Sequence, residues 1–323
     1  MTAAATARPP LGIRLMASLR KEPDWLAMSP AALDAFRVSE NRKRSSAFAR
    51  IVTGFPDRRA DIAWRDLVLP DRQLRVRVYR AVSARGELPL VLHVHGGGFV
   101  GTATQSDWIN SHLATRLPAV VVSVEHRLVA AGTPLSAAVD DGWDALRRVA
   151  ENAASWGVDP ARAAVFGESA GATIAALVAI RAREAGLPLR AQVLVNPCTD
   201  LTSTAFDYPS MREHATSPTL TATQLEFFRR LAVPDGCDAD AVSPLYATDL
   251  GGLPSTLVIV PTLDPVADQG RTYATRLRAA GTPADLTEHQ GAPHAFLSMP
   301  GVVRQARDAR KEIAAFLGGR LAD

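Results

Sequence analysis

Residues 167–171 read Gly-Glu-Ser-Ala-Gly, which places Ser169 between two glycines. The stretch follows an apolar run typical of a buried strand and precedes a run of small residues that favours a helix. A serine at such a sharp turn has its hydroxyl held above the end of the sheet. Because the turn lies at a helix N-terminus, unpaired backbone N–H groups there favour a developing negative charge. The pattern predicts that Ser169 is the nucleophile of an acyl-transfer reaction.

Three successive glycines follow another buried-strand run, in the stretch His-Gly-Gly-Gly-Phe at 95–99. Glycine lets the backbone turn sharply and expose its N–H groups. We expect the N–H groups of Gly97 and Gly98 to point at the same place as the N–H of Ala170. These donors would form an oxyanion hole, where the loss of one donor costs about 3 kcal/mol of transition-state stabilisation. The alternative is a tight turn that binds no ligand.

A serine nucleophile of this kind needs an acid and then a histidine further along the chain. Three of the seven histidines follow the serine: His214, His289 and His294. His214 lies in a segment without strong strands, and His289 ends an edge-strand run. His294 lies in a loop before the last helix, where catalytic groups are common, so we predict that it is the base. Neutral imidazole accepts the proton, so hydrolysis should rise with pH as the base loses its own proton.

The acid is predicted from the stretch Val-Ile-Val-Pro-Thr-Leu-Asp at 258–264. Asp264 comes just after this buried strand, whereas Asp268 lies one helical turn later and is expected to face solvent. We therefore predict that Asp264 orients the histidine, and it is also suited to cap the helix that begins near Pro265. Glu168 is not needed for the chemistry, and we expect it to have a structural role.

The stretches between these motifs predict the elements that position them. Residues 62–70 and 74–81 alternate with period two, which indicates an antiparallel pair. Apolar strand runs then alternate with helices, and this alternation predicts a parallel sheet covered on both faces. A helical region is expected to end at Asp159 or Pro160, before a buried strand at 163–167. The helical stretches are 107–116, 136–154, 170–185 and 267–280.

Residues 201–243 interrupt this alternation and carry three prolines. Long excursions from a compact domain are often lids. We therefore predict a helical cap made of residues 1–50 and an insertion at about 201–243, on a core that spans 51–323. Seven apolar side chains are candidates for the pocket, although each is also an ordinary core residue: Trp25, Met28, Phe36, Trp108, Phe206, Phe227 and Phe228.

The four motifs HGGGF, GESAG, LDPVADQG and PHAF, in this order, resemble the hormone-sensitive-lipase-like family of α/β-hydrolases, in its bacterial carboxylesterase branch. The resemblance covers roughly 60–318 and includes the stretch at 243–260. It implies an α/β-hydrolase fold with a mostly parallel eight-stranded sheet, flanking helices and a helical cap. It also implies hydrolysis of short- to medium-chain acyl esters without a cofactor or metal.

Carried over by motif, the resemblance makes Ser169, Asp264 and His294 the catalytic triad, and Gly97, Gly98 and Ala170 the oxyanion donors. His95 would shape the glycine loop. The chain departs from the family pattern after the strand that ends near residue 125: His126 stands where tyrosine is usual, and the loop to residue 136 is altered. Ala295 replaces a common glycine after the histidine, and Thr262 replaces an acidic or glycine residue.

Composition excludes several other classes of protein. The net charge is +3, and no long basic block or zinc-ligand spacing occurs, so we expect no nucleic-acid partner. The two cysteines are too few for a secreted disulfide framework, and no run is long and apolar enough to span a membrane, so we expect a cytoplasmic protein without stable membrane insertion. The edge strand near 284–290 is a candidate surface for a homodimer.

Other functions on the same residues stay open. The same triad serves an amidase, a lactonase or an acyltransferase, because one acyl-enzyme can react with different acceptors. A non-catalytic small-molecule receptor on the same fold is a further alternative, although such proteins typically lose a triad member. Fold alone is a poor guide to function.

Overall fold

The structure is a computed structural model, and it describes residues 8–19 and 21–322. The first seven residues of the predicted cap therefore lie outside the described residues. The strands are β1 Ala60–Val68, β2 Gln73–Ala81, β3 Leu88–Val94, β4 Val120–Val124, β5 Val158–Glu168, β6 Ala191–Val195, β7 Thr216–Ser217, β8 Leu220–Thr221, β9 Ser255–Leu263 and β10 Ala284–Pro293. The α-helices are α1 Leu11–Ser18, α2 Pro30–Arg44, α3 Arg50–Thr53, α4 Asp107–Arg116, α5 Leu135–Glu151, α6 Ala153–Trp156, α7 Ala170–Glu184, α8 Pro209–Glu213, α9 Ala222–Ala232, α10 Ala267–Ala279 and α11 Gln305–Leu321.

Eight strands form one sheet in the order β1-β2-β4-β3-β5-β6-β9-β10. β1 and β2 pair antiparallel, as their period-two patterns predict, and β2 also pairs antiparallel with β4. The other six strands pair in parallel. The prediction of a mostly parallel eight-stranded sheet is confirmed.

The core has two layers because successive side chains of a strand point to opposite faces of the sheet. In β3, Leu90, Leu92 and Val94 belong to the layer that contains α5, α7 and α10. Val91 belongs to the layer on the opposite face, with α4 and α11. Strands buried on both faces require near-continuous apolar runs, which is the pattern that the sequence shows.

The beginning of β5 differs from the prediction. The preceding helix α6 ends at Trp156, and not at Asp159 or Pro160, because Gly157 adopts the left-handed conformation that terminates helices. β5 then begins at Val158, and its register with β3 shifts between the partners of Pro89 and Leu90. This bulge accommodates Pro160, which has no N–H to donate to a ladder.

Helix α2 and the segment between β6 and β9 are in contact through one indole, Trp25. The buried Trp25 ring lies 5.3 Å from Phe36, 5.4 Å from Phe99 and 5.8 Å from Phe227, measured between ring centroids. Phe227 belongs to α9, in the predicted insertion. The division of the chain into cap and core stays a prediction.

β10 lies at the edge of the sheet and pairs with β9. It continues past the predicted end near residue 290 to Pro293, across an irregular register around Gly291, which has a positive φ of 72°. Pairing of two copies through this edge stays a prediction. Among residues 8–19 and 21–322, none of the helices combines the length and the apolar character needed to cross a bilayer.

Candidate active site

Ser169 lies between the last residue of β5 and the first residue of α7, with φ 56° and ψ −125°. A non-glycine residue with positive φ is strained, and such strain collects at functional sites. The flanking glycines are needed because any side chain at these positions would clash with the backbone. A Cβ on Gly167 would lie 2.2 Å from the carbonyl oxygen of Gly171, and a Cβ on Gly171 would lie 2.2 Å from that of Val94.

A chain of two hydrogen bonds joins three of the predicted side chains. Ser169 Oγ lies 2.7 Å from His294 Nε2, and His294 Nδ1 lies 2.8 Å from Asp264 Oδ2. A carboxylate only accepts, so the Nδ1–H donates to Asp264 and Nε2 accepts from the serine hydroxyl. Asp264 is fully buried and His294 is 4% exposed, so the bond between them is shielded from water, whereas the bond to Ser169 is partly buried.

The rejected candidates are engaged elsewhere. His289 faces Glu312, with 3.2 Å between Nε2 and Oε2. Asp268 accepts from the backbone N–H of Ser210 at 2.8 Å and pairs with Arg271. His214 follows the end of α8, outside the pocket around Ser169.

Asp264 also accepts from the backbone N–H of Val266 through Oδ1, at 3.0 Å. This second bond engages the oxygen that does not face the imidazole. The predicted N-cap role of Asp264 is wrong, because Val266 is the N-cap residue of α10 and no side chain caps this helix. Asp264 instead holds the turn that leads into it.

The glycine loop after β3 lies beside Ser169. Gly97 and Gly98 have φ of 106° and 43°, which favour glycine. A Cβ on Gly97 would lie 1.8 Å from the carbonyl oxygen of Val100. Val100 is held in place because its N–H donates to the carbonyl oxygen of Gly97 at 2.6 Å. Within the described part of the chain, the backbone N–H groups of Gly97, Gly98 and Ala170 have no acceptor, and all three residues line one pocket with Ser169.

Known proteins resemble this chain in sequence and in fold. A family model described as alpha/beta hydrolase fold matches residues 91–298. The chain is 38% identical over 242 residues to Carboxylesterase NlhH of Mycobacterium tuberculosis, across 72% of this chain and 74% of the relative. It is 31% identical over 289 residues to an ethyl acetate hydrolase of Pseudomonas putida, across 85% and 87%. A hyperthermophilic esterase from Pyrobaculum calidifontis superposes with a TM-score of 0.85 at 31% identity, across 96% of this chain and 97% of that chain.

The chain belongs to the hormone-sensitive-lipase-like family of α/β-hydrolases. The family comparison and the named esterases make this hydrolase a carboxylic ester hydrolase. The resemblance expected from its four motifs is confirmed.

The pocket of the hydrolase above Ser169 has a volume of about 120 Å³. The apolar part of its wall includes Leu220, Leu225 and Phe228. Of the seven side chains proposed from the sequence, Phe228 therefore lines this pocket. Trp25 and Phe227 pack between the N-terminal helices and α9, and Trp108 packs with α4 on the opposite face of the sheet.

The altered loop of the hydrolase, which begins at His126, is held in place by ring stacking and hydrogen bonds. The His126 ring stacks on the His95 ring, with centroids 4.2 Å apart, and its Nε2 lies 3.2 Å from the carbonyl oxygen of His95. Burial lowers the pKa of both imidazoles, which favours their neutral forms. Arg127 then binds the fully buried Asp141 through its side chain and its backbone N–H. The histidine therefore supports the start of the glycine loop.

An asparagine and a cysteine are among the residues of the site that were not identified from the sequence. Asn196 follows β6 with a φ of 39°, and its Nδ2 lies 3.4 Å from His294 Nε2. Cys198 lines the pocket of the hydrolase, and burial raises the pKa of its thiol to about 12. An asparagine and a cysteine around a proline resemble an ordinary strand end, so no local pattern distinguishes them.

Proposed function

We propose that the hydrolase cleaves short- to medium-chain acyl esters with Ser169 as nucleophile, His294 as base and Asp264 as the residue that orients the base. The observation that carries this proposal is the unbroken hydrogen-bond path from Ser169 Oγ to Asp264 at the floor of a small pocket. Each bond has the length expected between groups that exchange or hold a proton.

In the first half of the reaction, Ser169 Oγ attacks the ester carbonyl carbon while its proton moves to His294 Nε2. The carbonyl oxygen becomes an oxyanion. The resulting imidazolium is stabilised by Asp264, which stays ionised. When the tetrahedral intermediate collapses, the bond to the alcohol oxygen breaks, and Nε2–H donates its proton to that oxygen.

The oxyanion is proposed to bind the N–H groups of Gly97, Gly98 and Ala170. Their lack of another acceptor in the described residues supports this role. Ala170 is the first residue of α7, so its N–H also has the favourable potential of a helix N-terminus. Donors fixed by the backbone need no reorganisation when the charge develops.

In the second half, water attacks the acyl-enzyme, His294 again takes a proton, and the carboxylic acid leaves. The pocket volume of about 120 Å³ is well below the roughly 300–1,000 Å³ of a typical small-molecule site. Short acyl groups therefore fit best. The N-terminal helices and the 201–243 segment are proposed to cap this pocket, since Trp25 and Phe227 join them.

The experiment is to treat the protein with a serine-directed organophosphonate, map the labelled peptide by mass spectrometry, and measure turnover of p-nitrophenyl esters of increasing acyl length. We expect one label at Ser169 and fastest turnover with the shortest acyl groups. Labelling of another serine, or a Ser169→Ala variant that keeps its turnover, would contradict the proposal.

The alternatives give different results in the same assay. An amidase cleaves an anilide at a rate comparable with the matching ester, whereas an esterase cleaves the ester much faster. A receptor on this fold takes no label and turns over neither substrate.

A further inference from the structure

A second and larger cavity adjoins the catalytic pocket. We call it the outer chamber; its volume is about 820 Å³. It is lined by side chains of α1, α2 and α3 and by residues that follow His294. Within the described part of the chain, five residues line both the outer chamber and the catalytic pocket: Arg44, Gln105, Thr219, Ala295 and Ser298. The two spaces are therefore neighbours across a common wall.

The position of this wall assigns the outer chamber to one half of an ester. Ala295 follows His294 directly in the chain, and Ser298 lies four residues after it. In the proposed reaction His294 donates its proton to the leaving alcohol, so that alcohol lies on the histidine side of the nucleophile. A substrate arm that continues from this side reaches the outer chamber, whereas the acyl group stays in the small pocket.

The common wall is polar. Arg44 donates from Nη1 to Gln105 Oε1 at 3.1 Å, and Gln105 donates from Nε2 to the carbonyl oxygen of Gly96 at 3.1 Å. The hydroxyl of Thr219 is buried and has no hydrogen-bond partner within the described residues. A buried hydroxyl without a partner is costly, and a polar group of a substrate would satisfy it.

The rest of the outer chamber combines an apolar surface with an excess of positive charge. Ile13, Met16 and Phe36 are among its apolar side chains. Among the described residues, its charged lining consists of Lys21, Lys43, Arg44 and Glu40, which is three cations and one anion. Glu40 accepts from Lys43 Nζ at 2.7 Å on the same helix. The cavity therefore favours a ligand that is apolar along its body and negative at one end.

We propose that the outer chamber binds the alcohol half of the substrate, and that this alcohol is an apolar chain or ring system that carries a carboxylate or a similar anion. The proposal rests on the function proposed above and specifies its substrate class. A short acyl group occupies the catalytic pocket, and the ester group lies at the polar wall. The anion of the alcohol lies near Lys21 and Lys43. A cationic alcohol is repelled by the same charges.

The first test compares two acetate esters that differ only in charge: 8-acetoxyoctanoate and 8-acetoxyoctanamide, with acetate release as the readout. We expect kcat/KM to be about tenfold higher for the carboxylate, as for a ligand that gains one charge-assisted contact. The preference should decrease at 0.5 M salt, because exposed lysines are screened. Equal kcat/KM values, or a preference for the amide, would overturn the proposal.

The charge argument has a matched control on one helix. In a Lys21→Met, Lys43→Met double variant, the preference for the carboxylate should fall to about twofold or less. Arg42 is exposed beside Lys43 and does not line the outer chamber, so Arg42→Met should keep the preference. A preference that survives in the double variant, or that Arg42→Met removes equally, would overturn the assignment to these lysines.

The size argument is tested by filling the cavity. Ala49 lines the outer chamber and Ala47 does not. Ala49→Trp should lower kcat/KM for 8-acetoxyoctanoate by about tenfold relative to methyl acetate, because the long alcohol loses its space, and Ala47→Trp should not. An equal effect of the two variants would exclude the outer chamber as the alcohol site.

Methyl acetate separates the two proposals. Suppose that the wild type cleaves methyl acetate and Ser169→Ala does not. If kcat/KM is then equal for the charged and the neutral long ester, only the proposed substrate class is wrong. If Ser169→Ala still cleaves methyl acetate, the proposed function itself is wrong.

Discussion

Ser298 donates two hydrogen bonds to the carboxyl group of Glu168. Its backbone N–H lies 3.3 Å from Oε1, and its hydroxyl binds Oε2. Glu168 precedes Ser169, and Ser298 follows His294 by four residues, so this contact ties the turn of the nucleophile to the loop of the base. Burial raises the pKa of Glu168, and the two bonds from Ser298 act in the opposite direction.

Loss of this contact should affect both stability and rate. Ser298→Ala leaves a buried carboxyl group with fewer hydrogen-bond donors. We therefore expect the free energy of unfolding to decrease by about 1.5–3 kcal/mol, as for a lost hydrogen bond to a charged group. The loop that carries His294 also loses its anchor, so kcat should fall. Urea unfolding and ester turnover check this. Ser18→Ala, which removes an exposed serine hydroxyl, is the control and should change neither value.

The hydrogen-bonded acid beside His294 is expected to matter far more than its neighbour one helical turn away. Asp264→Asn should lower kcat by about 10³–10⁴, because an amide no longer holds the imidazole with its proton on Nδ1. Asp268→Asn is the matched control, since Asp268 bonds to Ser210 and Arg271 instead. Comparable losses in the two variants, measured with p-nitrophenyl acetate, would refute the role of Asp264.

The glycine loop offers a test of backbone geometry. Gly97→Ala brings a Cβ to 1.8 Å from Val100 O at a φ of 106°, so the loop must shift and kcat should fall by about a hundredfold or more. Gly132 also has a positive φ, of 78°, but a Cβ there meets nothing within 4 Å. Gly132→Ala therefore reproduces the conformational cost, of about 1 kcal/mol, without the clash. Equal activity of the two variants would exclude the oxyanion role.

Buried histidines should make the fold sensitive to acid. Burial lowers the pKa of His93 to about 3. The unfolded chain binds a proton on this imidazole near pH 6.5, so between about pH 6.5 and 3 the unfolded state holds more protons. The free energy of unfolding should therefore decrease as the pH is lowered from about 6.5 to 3, by up to about 1.4 kcal/mol per pH unit for one such group. Urea unfolding at several pH values should show a smaller slope in His93→Gln; an unchanged slope would show that this residue does not carry the effect.

The two cysteines should differ in reactivity. Cys237 is exposed, whereas Cys198 is buried and its thiol pKa is raised to about 12, so little thiolate forms at pH 8. We expect iodoacetamide to label Cys237 alone and to leave ester turnover intact, as judged by peptide mapping. Cys237→Ser should take no label in the native state. Labelling of Cys198, with loss of activity, would mean that the pocket wall opens.

Much of the fold could be predicted because its determinants are local. The apolar runs of β3, β4 and β9 indicate buried parallel strands, and the glycines around Ser169 indicate a crowded turn. The beginning of β5 was placed wrongly because one glycine, Gly157, ends the preceding helix earlier than Pro160 suggests.

The candidate site was harder to predict where tertiary packing supplies a residue. Chain order and loop position suffice to select Asp264 and His294 from few alternatives. Asn196 approaches His294 only because β6 lies beside β5 and β9 in the sheet. Arg44 reaches the pocket from α2, and nothing in its neighbouring residues indicates that contact.

The Trp25 indole has a consequence for how this protein can diverge. It touches Phe36 and Phe99 as well as Phe227, so residues separated by about two hundred positions in the chain share one aromatic cluster. A change in the volume of α9 must be matched by a change near the N-terminus. Chimeras between relatives should therefore exchange both segments together, because a transplant of either one leaves a hole or a clash at the indole.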